Sequence, residues 1–527
     1  LRRCVAAVAA SPEPVLVKAF SRRLVGLRRP TPRTLWFVLV VLAATAYAIY
    51  FGFYTIRNHH RLGTTAFDLG IYDNMMFNAI HGHPFRATVL FPPDGGNNLA
   101  SHAEFGVLWF IPFYALHPGA QTMLIAQAIL LGFAAVPLYL FAATQLPRPM
   151  AALIAVGYLC FPPLHGPNFY DFHWLTLTPF FHFWLFWAIA TRRRWLTVVM
   201  IVLLYSLRED VAVDLVGLGL FLLLTRLRPR LGLWLTVVSA VWFAVDRFVI
   251  MPLAGSWYFQ NLYSGLFADG VPSFGSVIKT ILTNPLFFLT TLMTQTKLEY
   301  VLHMLVPLAF LPLRRFSLIL LLLPAIFFTI MTTGYSPTTM ISFQYTNHWT
   351  PFLFLATVLA LVVIARTMNG SAQVAALGTV LIVLAADSYT FGAIFQHKVF
   401  VGGFSKIEFE MTPAEQRRYA DLEDLVAMIP PQASVAATEN EAAHISTRKN
   451  AYALRIAPGP VDYLLIGKSH VGDLSRGPLI AALADRSAYG LVGQRGGELF
   501  LFKRQRVSAG SPLEAATASA RRMLGVP

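Results

Sequence analysis

Apolar runs of about 15 to 20 residues recur along this chain, and they constrain its fold more than any single motif. The first, LWFVLVVLAATAYAIYFGFY at 35–54, is long enough to cross a bilayer as a helix. Further runs lie near 121–143, 149–162, 175–190, 195–207, 211–225, 231–252, 299–313, 316–333, 350–366 and 373–393. Read as spans, they predict a polytopic α-helical membrane protein with about eleven transmembrane helices. Only 13% of residues are charged, against about a quarter in a soluble domain. The run FGVLWFIPFYALH, 105–117, is too short to cross and would reverse every later span. It reads as a re-entrant or surface-lying helix.

Charge gives the chain its direction. The first 33 residues hold eight Arg/Lys and one Glu. Basic clusters at Arg148, 191–194, 226–230, Arg314–Arg315 and Arg366 separate later spans and contain no acid. By the positive-inside bias these sites are cytoplasmic, as is a basic N-terminal segment at 1–33. The formal charge of +15 is thereby accounted for without nucleic acid. The two cysteines, Cys4 and Cys160, sit in unlike surroundings and suggest neither a disulfide nor a metal framework.

This threading collects acids, histidines and aromatics on the opposite, extracytoplasmic face. The first loop, 55–120, carries AFDLGIYDN with Asp68 and Asp73, and NLASHAEF with His102 and Glu104. Asp68 can cap the helix that follows it, or face a cavity; Asp73 can be a helix-surface acid or border the same cavity. NFYDFHW places Asp171 and His173 in a short turn, either as a metal, phosphate or proton site or as the polar edge of an aromatic belt. In LREDVAV, Arg208, Glu209 and Asp210 interrupt an apolar stretch. Charges at such a place face a polar cavity or one another, and an internal Arg–Glu pair is the plain alternative. Lys297, Gln344, Asn347 and His348 are further polar candidates, with Trp257 and Tyr258 as groove-lining aromatics.

From 394 the composition turns polar. Thr412 and Glu415 have the spacing of a capping box, and SVAAT, DYLLI, YGLVG and ELFLF read as short strands. They predict a 34–393 transmembrane domain, an extracytoplasmic α/β domain at 394–506, and a mobile tail at 507–527.

In the order FDLGIYDN, SHAEF, YDFHW and RED, the chain resembles the bacterial predicted membrane proteins of the domain-of-unknown-function family numbered two thousand and seventy-nine. Here Ser101–His102–Ala103 stands for that family's DHF element, Trp174 for a proline and Arg208 for a lysine. The family is in turn similar to the GT-C glycosyltransferases, whose first outer loop bears an acid just after span one, with juxtamembrane helices. The resemblance implies a GT-C-like fold in the bacterial inner membrane. It further implies transfer of a sugar from a polyprenyl-phosphate donor to an acceptor hydroxyl outside, with inversion. Asp68 matches the acidic position, and Asp73 does so less closely. A base is needed for the acceptor hydroxyl, and cations or a divalent metal ion for the leaving phosphate. Asp68 suits the first role; Arg208, His173 and Lys297 suit the second. Asp171, Glu209, Asp210, His102 and His348 complete the expected substrate-binding set. The rival classes are a transporter or flippase for a lipid-linked or anionic solute, and a non-catalytic scaffold.

Overall fold

The computed structural model describes residues 33–91, 95–255, 259–267 and 270–526. The basic segment up to residue 32 and the pair Trp257–Tyr258 lie outside them. The chain opens with helix α1 (Arg33–His60), followed by a five-residue π turn (Ala66–Gly70), α2 (Ile71–Ile80) and α3 (Gly106–Leu116). The helical layer continues through α4 (Ala120–Ala142), α5 (Arg148–Leu159) and α6 (Pro162–Phe169). It then passes to α7 (Thr178–Ala190), α8 (Arg194–Tyr205), α9 (Val211–Leu224) and α10 (Pro229–Ala254). α11 (Gln295–Leu305), α12 (Thr350–Thr367) and α13 (Gly370–Phe391) complete it. α12 is apolar on every side and almost wholly buried, as a helix without a polar face must be, so it forms the axis of the bundle. α1 and α13 leave most of their apolar surface bare, which suits lipid-facing positions.

The expectation of eleven spans is met only in its coarse form. Among the described residues, five helices are long and apolar enough to cross a membrane, or six if α5 and α6, bent by 42°, count as one broken span. Several expected spans are shorter apolar helices instead, among them α8, α9 and Phe316–Phe328. The runs at 299–313 and 316–333 are broken into short helices and 3-10 turns carrying Pro307, Pro312 and Pro324. Each proline lacks the amide that would continue a helix, and Ala309 and Phe310 turn through positive φ.

Beyond α13, α14 (Pro413–Ala427) begins with the expected capping box of Thr412 and Glu415. A five-stranded sheet follows: β1 (Val435–Ala437), β2 (Ala451–Ala453), β3 (Tyr463–Gly467), β4 (Tyr489–Arg495) and β5 (Leu499–Arg504). Its order is β2-β1-β3-β5-β4, parallel across the first three strands and antiparallel across the last three. α15 (Asp473–Ala482) joins β3 to β4. The segment from 507, expected to be a mobile tail, instead contains α16 (Pro512–Met523). Ser511 caps it, the Leu491 amide donates to Thr517 Oγ1 at 3.0 Å, and Ala520, Leu524 and Val526 join the apolar core over the sheet. Burial of that face holds the segment in place.

The sheet domain is tied to the first loop. Ala453 N–H donates to the Val89 carbonyl at 2.8 Å, so loop backbone covers the edge strand β2. Asn74 Nδ2 donates to the carbonyls of Ser446 and Arg448, and Asn440 Nδ2 to that of Leu62. Arg61, in the turn after α1, pairs with Glu415. Hydrogen bonds from Arg61 hold the Glu415 carboxyl down at about 2, from an ordinary 4.5. A group with a depressed folded pKa stabilises the fold above its unfolded pKa, and that contribution fades as pH falls from 4.5 towards 2. Glu415→Gln is therefore expected to flatten the acid limb of melting temperature against pH in that window. Identical limbs for parent and variant would show that the pair does not hold the domains together.

Candidate functional site

The site begins with a turn that the fold forces open. Asp171 stands at φ 47°, a left-handed conformation that Asp tolerates better than most residues. Buried Gln127 of α4 fixes it from both ends: its Nε2 donates to the Asp171 carbonyl at 2.8 Å, and its Oε1 accepts from His173 N–H at 3.0 Å. The turn thereby meets the π turn after α1. Thr65 donates to Asp171 Oδ2 through its amide (3.2 Å) and its hydroxyl (2.9 Å). His173 Nε2 lies 3.1 Å from Asp68 Oδ1, an ion-pair distance without hydrogen-bond alignment. Asp68 makes no helix-capping bond, so the capping alternative does not hold. Its Oδ2 is buried without a hydrogen-bond partner among the described residues. Burial, with the charge of Asp68 beside it, pushes Asp171 up to about 8.

A second layer comes from the α8–α9 turn. Arg208 is chelated by Asp210, with Nε 2.9 Å from both carboxylate oxygens and Nη2 also bonded. The pair leaves Nη1 unused. The Arg–Glu pair that stood as the plain alternative is replaced by an Arg–Asp pair, because Glu209 turns the other way. Glu209 accepts from Ala103 N–H at 3.0 Å and stands 2.8 Å from His102 Nδ1. Behind Asp210, His348 contacts Asp210 Oδ2 at 3.3 Å and Asp214 Oδ2 at 2.8 Å. Tyr345 joins the layers: the Arg208 guanidinium lies 5.5 Å from its ring, and its phenol feels the charges of Asp68, Glu209 and Asp210. Tyr72 bridges the other side, donating to Glu104 Oε1 at 2.8 Å within the field of Asp68. Burial raises Glu104 to about 7.

Thus Asp68, Asp171, His173, Arg208, Glu209, Asp210, His102 and His348 lie together in one polar cluster. Asp73 and Lys297 do not join it. Asp73 is fully buried at the domain seam, neither on a helix surface nor beside Asp68. It accepts from Ser446 Oγ (2.6 Å), Thr447 Oγ1 (2.7 Å) and the Tyr114 hydroxyl. Three donors, two of them from the sheet domain, hold the carboxylate, so it fastens that domain to α2. Lys297, on α11, donates to the Thr291 carbonyl at 3.0 Å. Tyr72, Tyr345, Asp214 and Asp246 are members that reading the sequence passes over. Asp246 is fully buried beside Glu209, with neither oxygen hydrogen-bonded among the described residues. An acid inside an apolar run was the signal for Asp214 and Asp246; the tyrosines gave none. As for the divalent ion, among the described residues no three His, Cys, Asp or Glu side chains are placed to hold a metal.

Beside the cluster, between the helical layer and the sheet domain, lies a cavity of about 580 Å³. Thr65, Phe67 and Tyr170 line it from the helical side, and Glu439, Arg455 and His470 from the sheet domain. Thr65 and Tyr170 also border the acid pair: Thr65 holds Asp171, and the Tyr170 phenol feels the charges of Asp68 and Asp171.

No curated protein matches the chain. Among solved structures it is similar to the archaeal oligosaccharyltransferase AglB from Archaeoglobus fulgidus, in complex with an inhibitory peptide and a dolichol-phosphate. That likeness has 12% identity over 92% of this chain and 77% of the other, with a TM-score of 0.41. It is also similar to ArnT from Cupriavidus metallidurans bound to undecaprenyl phosphate, with 11% identity over 89% of this chain and 98% of the other, and a TM-score of 0.44. The family described as predicted membrane protein (DUF2079) matches residues 58–468, a stretch that holds every member of the cluster and the whole cavity apart from its His470–Ser475 edge. The chain belongs to that family of membrane proteins.

Proposed function

We propose that the protein is a GT-C-like membrane glycosyltransferase that moves a sugar from a polyprenyl-phosphate carrier to an acceptor hydroxyl on the extracytoplasmic side. The observation that carries this reading is the Asp68 carboxylate, which is buried with one oxygen unpartnered, beside a cavity and in the same cluster as a buried guanidinium. The order of the sequence motifs supports it. In the reaction, the acceptor oxygen attacks the anomeric carbon and its proton passes to Asp68. The bond from that carbon to the carrier phosphate breaks, and the phosphate leaves with the electron pair. Attack opposite the leaving group inverts the anomeric centre. Arg208, held in place by Asp210, offers Nη1 to the phosphate, where a preorganised cation stabilises charge as it develops. His173 keeps Asp68 oriented.

On this reading the sheet domain lies outside the cell and the α7–α8 turn inside, an orientation that the positive-inside bias of the basic clusters supports. In intact spheroplasts, Asp485→Cys is expected to react with an impermeant maleimide and Arg193→Cys is not. The reverse pattern would place the cavity on the wrong side for a lipid-carried donor. Proteoliposomes with a donor labelled in both sugar and carrier separate the enzyme from a flippase. Acceptor-dependent release of free polyprenyl phosphate is expected, and passage of the intact lipid across the bilayer without cleavage overturns the proposal.

A further inference from the structure

The interdomain cavity combines two kinds of surface that the transfer chemistry does not itself require. Aromatic rings (Phe67, Tyr170, Tyr335 and Phe404) line it together with the charged pair Glu439 and Arg455. Phe67 and Arg455 are in direct contact, the guanidinium lying 5.1 Å from the ring. Arg455 Nε is 3.4 Å from Glu439 Oε2, while Glu439 Oε1 is buried without a hydrogen-bond partner among the described residues. An unpartnered carboxylate oxygen is costly unless a ligand donates to it.

Three classes of occupant can be weighed on this lining. An alkyl chain would satisfy the rings but would strip water from Glu439 and Arg455 with nothing in return. An anionic group would meet a guanidinium already neutralised by Glu439, with Asp473 as a further negative charge on the wall. A neutral polyhydroxylated ring satisfies both kinds of surface: its C–H face lies on the aromatics and its hydroxyls donate to Glu439. The volume of about 580 Å³ falls inside the range of small-molecule sites, roughly 300–1,000 Å³.

We infer that this cavity is a carbohydrate-binding subsite for the acceptor, with Phe67 and Tyr335 as its stacking platform and Glu439 as its hydroxyl acceptor. The inference rests on the transferase reading for the word acceptor, but the binding it asserts can be measured without any turnover. Tyr170 and Thr65 belong both to the cavity and to the acid cluster, so a sugar held there presents a hydroxyl towards Asp68.

The experiment uses the full chain in lipid nanodiscs and saturation-transfer NMR with methyl hexopyranosides and maltotriose. Saturation of ring protons is expected for the parent and for Asp68→Asn, with at least a tenfold weaker signal for Phe67→Ala, Tyr335→Ala and Glu439→Gln at unchanged melting temperature. Three separate variants guard against one that fails to fold. Glycoside binding without any sugar transfer leaves this inference standing and removes the transferase reading. Transfer activity with no glycoside binding, and with acceptor KM unchanged in all three variants, overturns the inference and keeps the transferase. A rise in donor KM alone assigns the cavity to the sugar of the lipid-linked donor and equally overturns it.

Discussion

Asp68→Asn is expected to lower sugar transfer by about 10²–10⁴-fold, the usual contribution of a general base, while the variant folds and melts like its parent. The substitution keeps the size of the side chain and its place in the π turn between α1 and α2, and removes only the basic oxygen. Asp68 lends no capping bond to that turn, so little structure depends on its charge. His173 Nε2, 3.1 Å from Asp68 Oδ1, can still meet an amide oxygen. The measurement is an initial rate at saturating donor and acceptor, with the melting temperature alongside. A parent-like rate would move the base elsewhere, with Asp171 and Glu439 as acids that feel the charge of Asp68.

The second large effect falls on stability. Asp210→Ala leaves the Arg208 guanidinium buried without its chelating carboxylate and removes one of the two acids that contact His348. Removing one partner of a buried pair costs roughly 3–5 kcal/mol, because the remaining charge stays away from water. The variant is therefore expected to express poorly or unfold early on heating in detergent. The double variant Arg208→Met with Asp210→Ala, which leaves no unpaired guanidinium, should recover part of that loss while remaining inactive. Full stability of the single variant would mean that Arg208 reaches water or another partner.

These effects show what a linear reading can see. Local patterns were legible. The capping box at Thr412 and four of the sheet strands were visible because each is fixed within a few residues. Long-range partners were not. Asp73 meets Ser446 across 373 positions, and no local spacing announces that contact. Arg208 chooses Asp210 over adjacent Glu209 through the geometry of a turn, which periodicity does not encode. Hydropathy overstated the spans at 299–333, since it scores proline for polarity and ignores its missing amide. It also understated the last segment. Ser511, Pro512 and Glu514 carry a helix-start signal, but the apolar face behind them is short. β2, three residues long, falls below what alternation can detect.

Transfer of a sugar from a lipid phosphate at the Asp68 cluster, as proposed, is open to direct measurement. The direct measurement supplies the purified full chain in nanodiscs with a sugar-labelled polyprenyl-phosphate donor and a glycan extract of bacterial envelope. The predicted result is label on the glycan, linked with inverted anomeric configuration, and one free polyprenyl phosphate for each sugar moved. A donor that stays intact in the presence of folded parent protein, or a product with retained configuration, would contradict it.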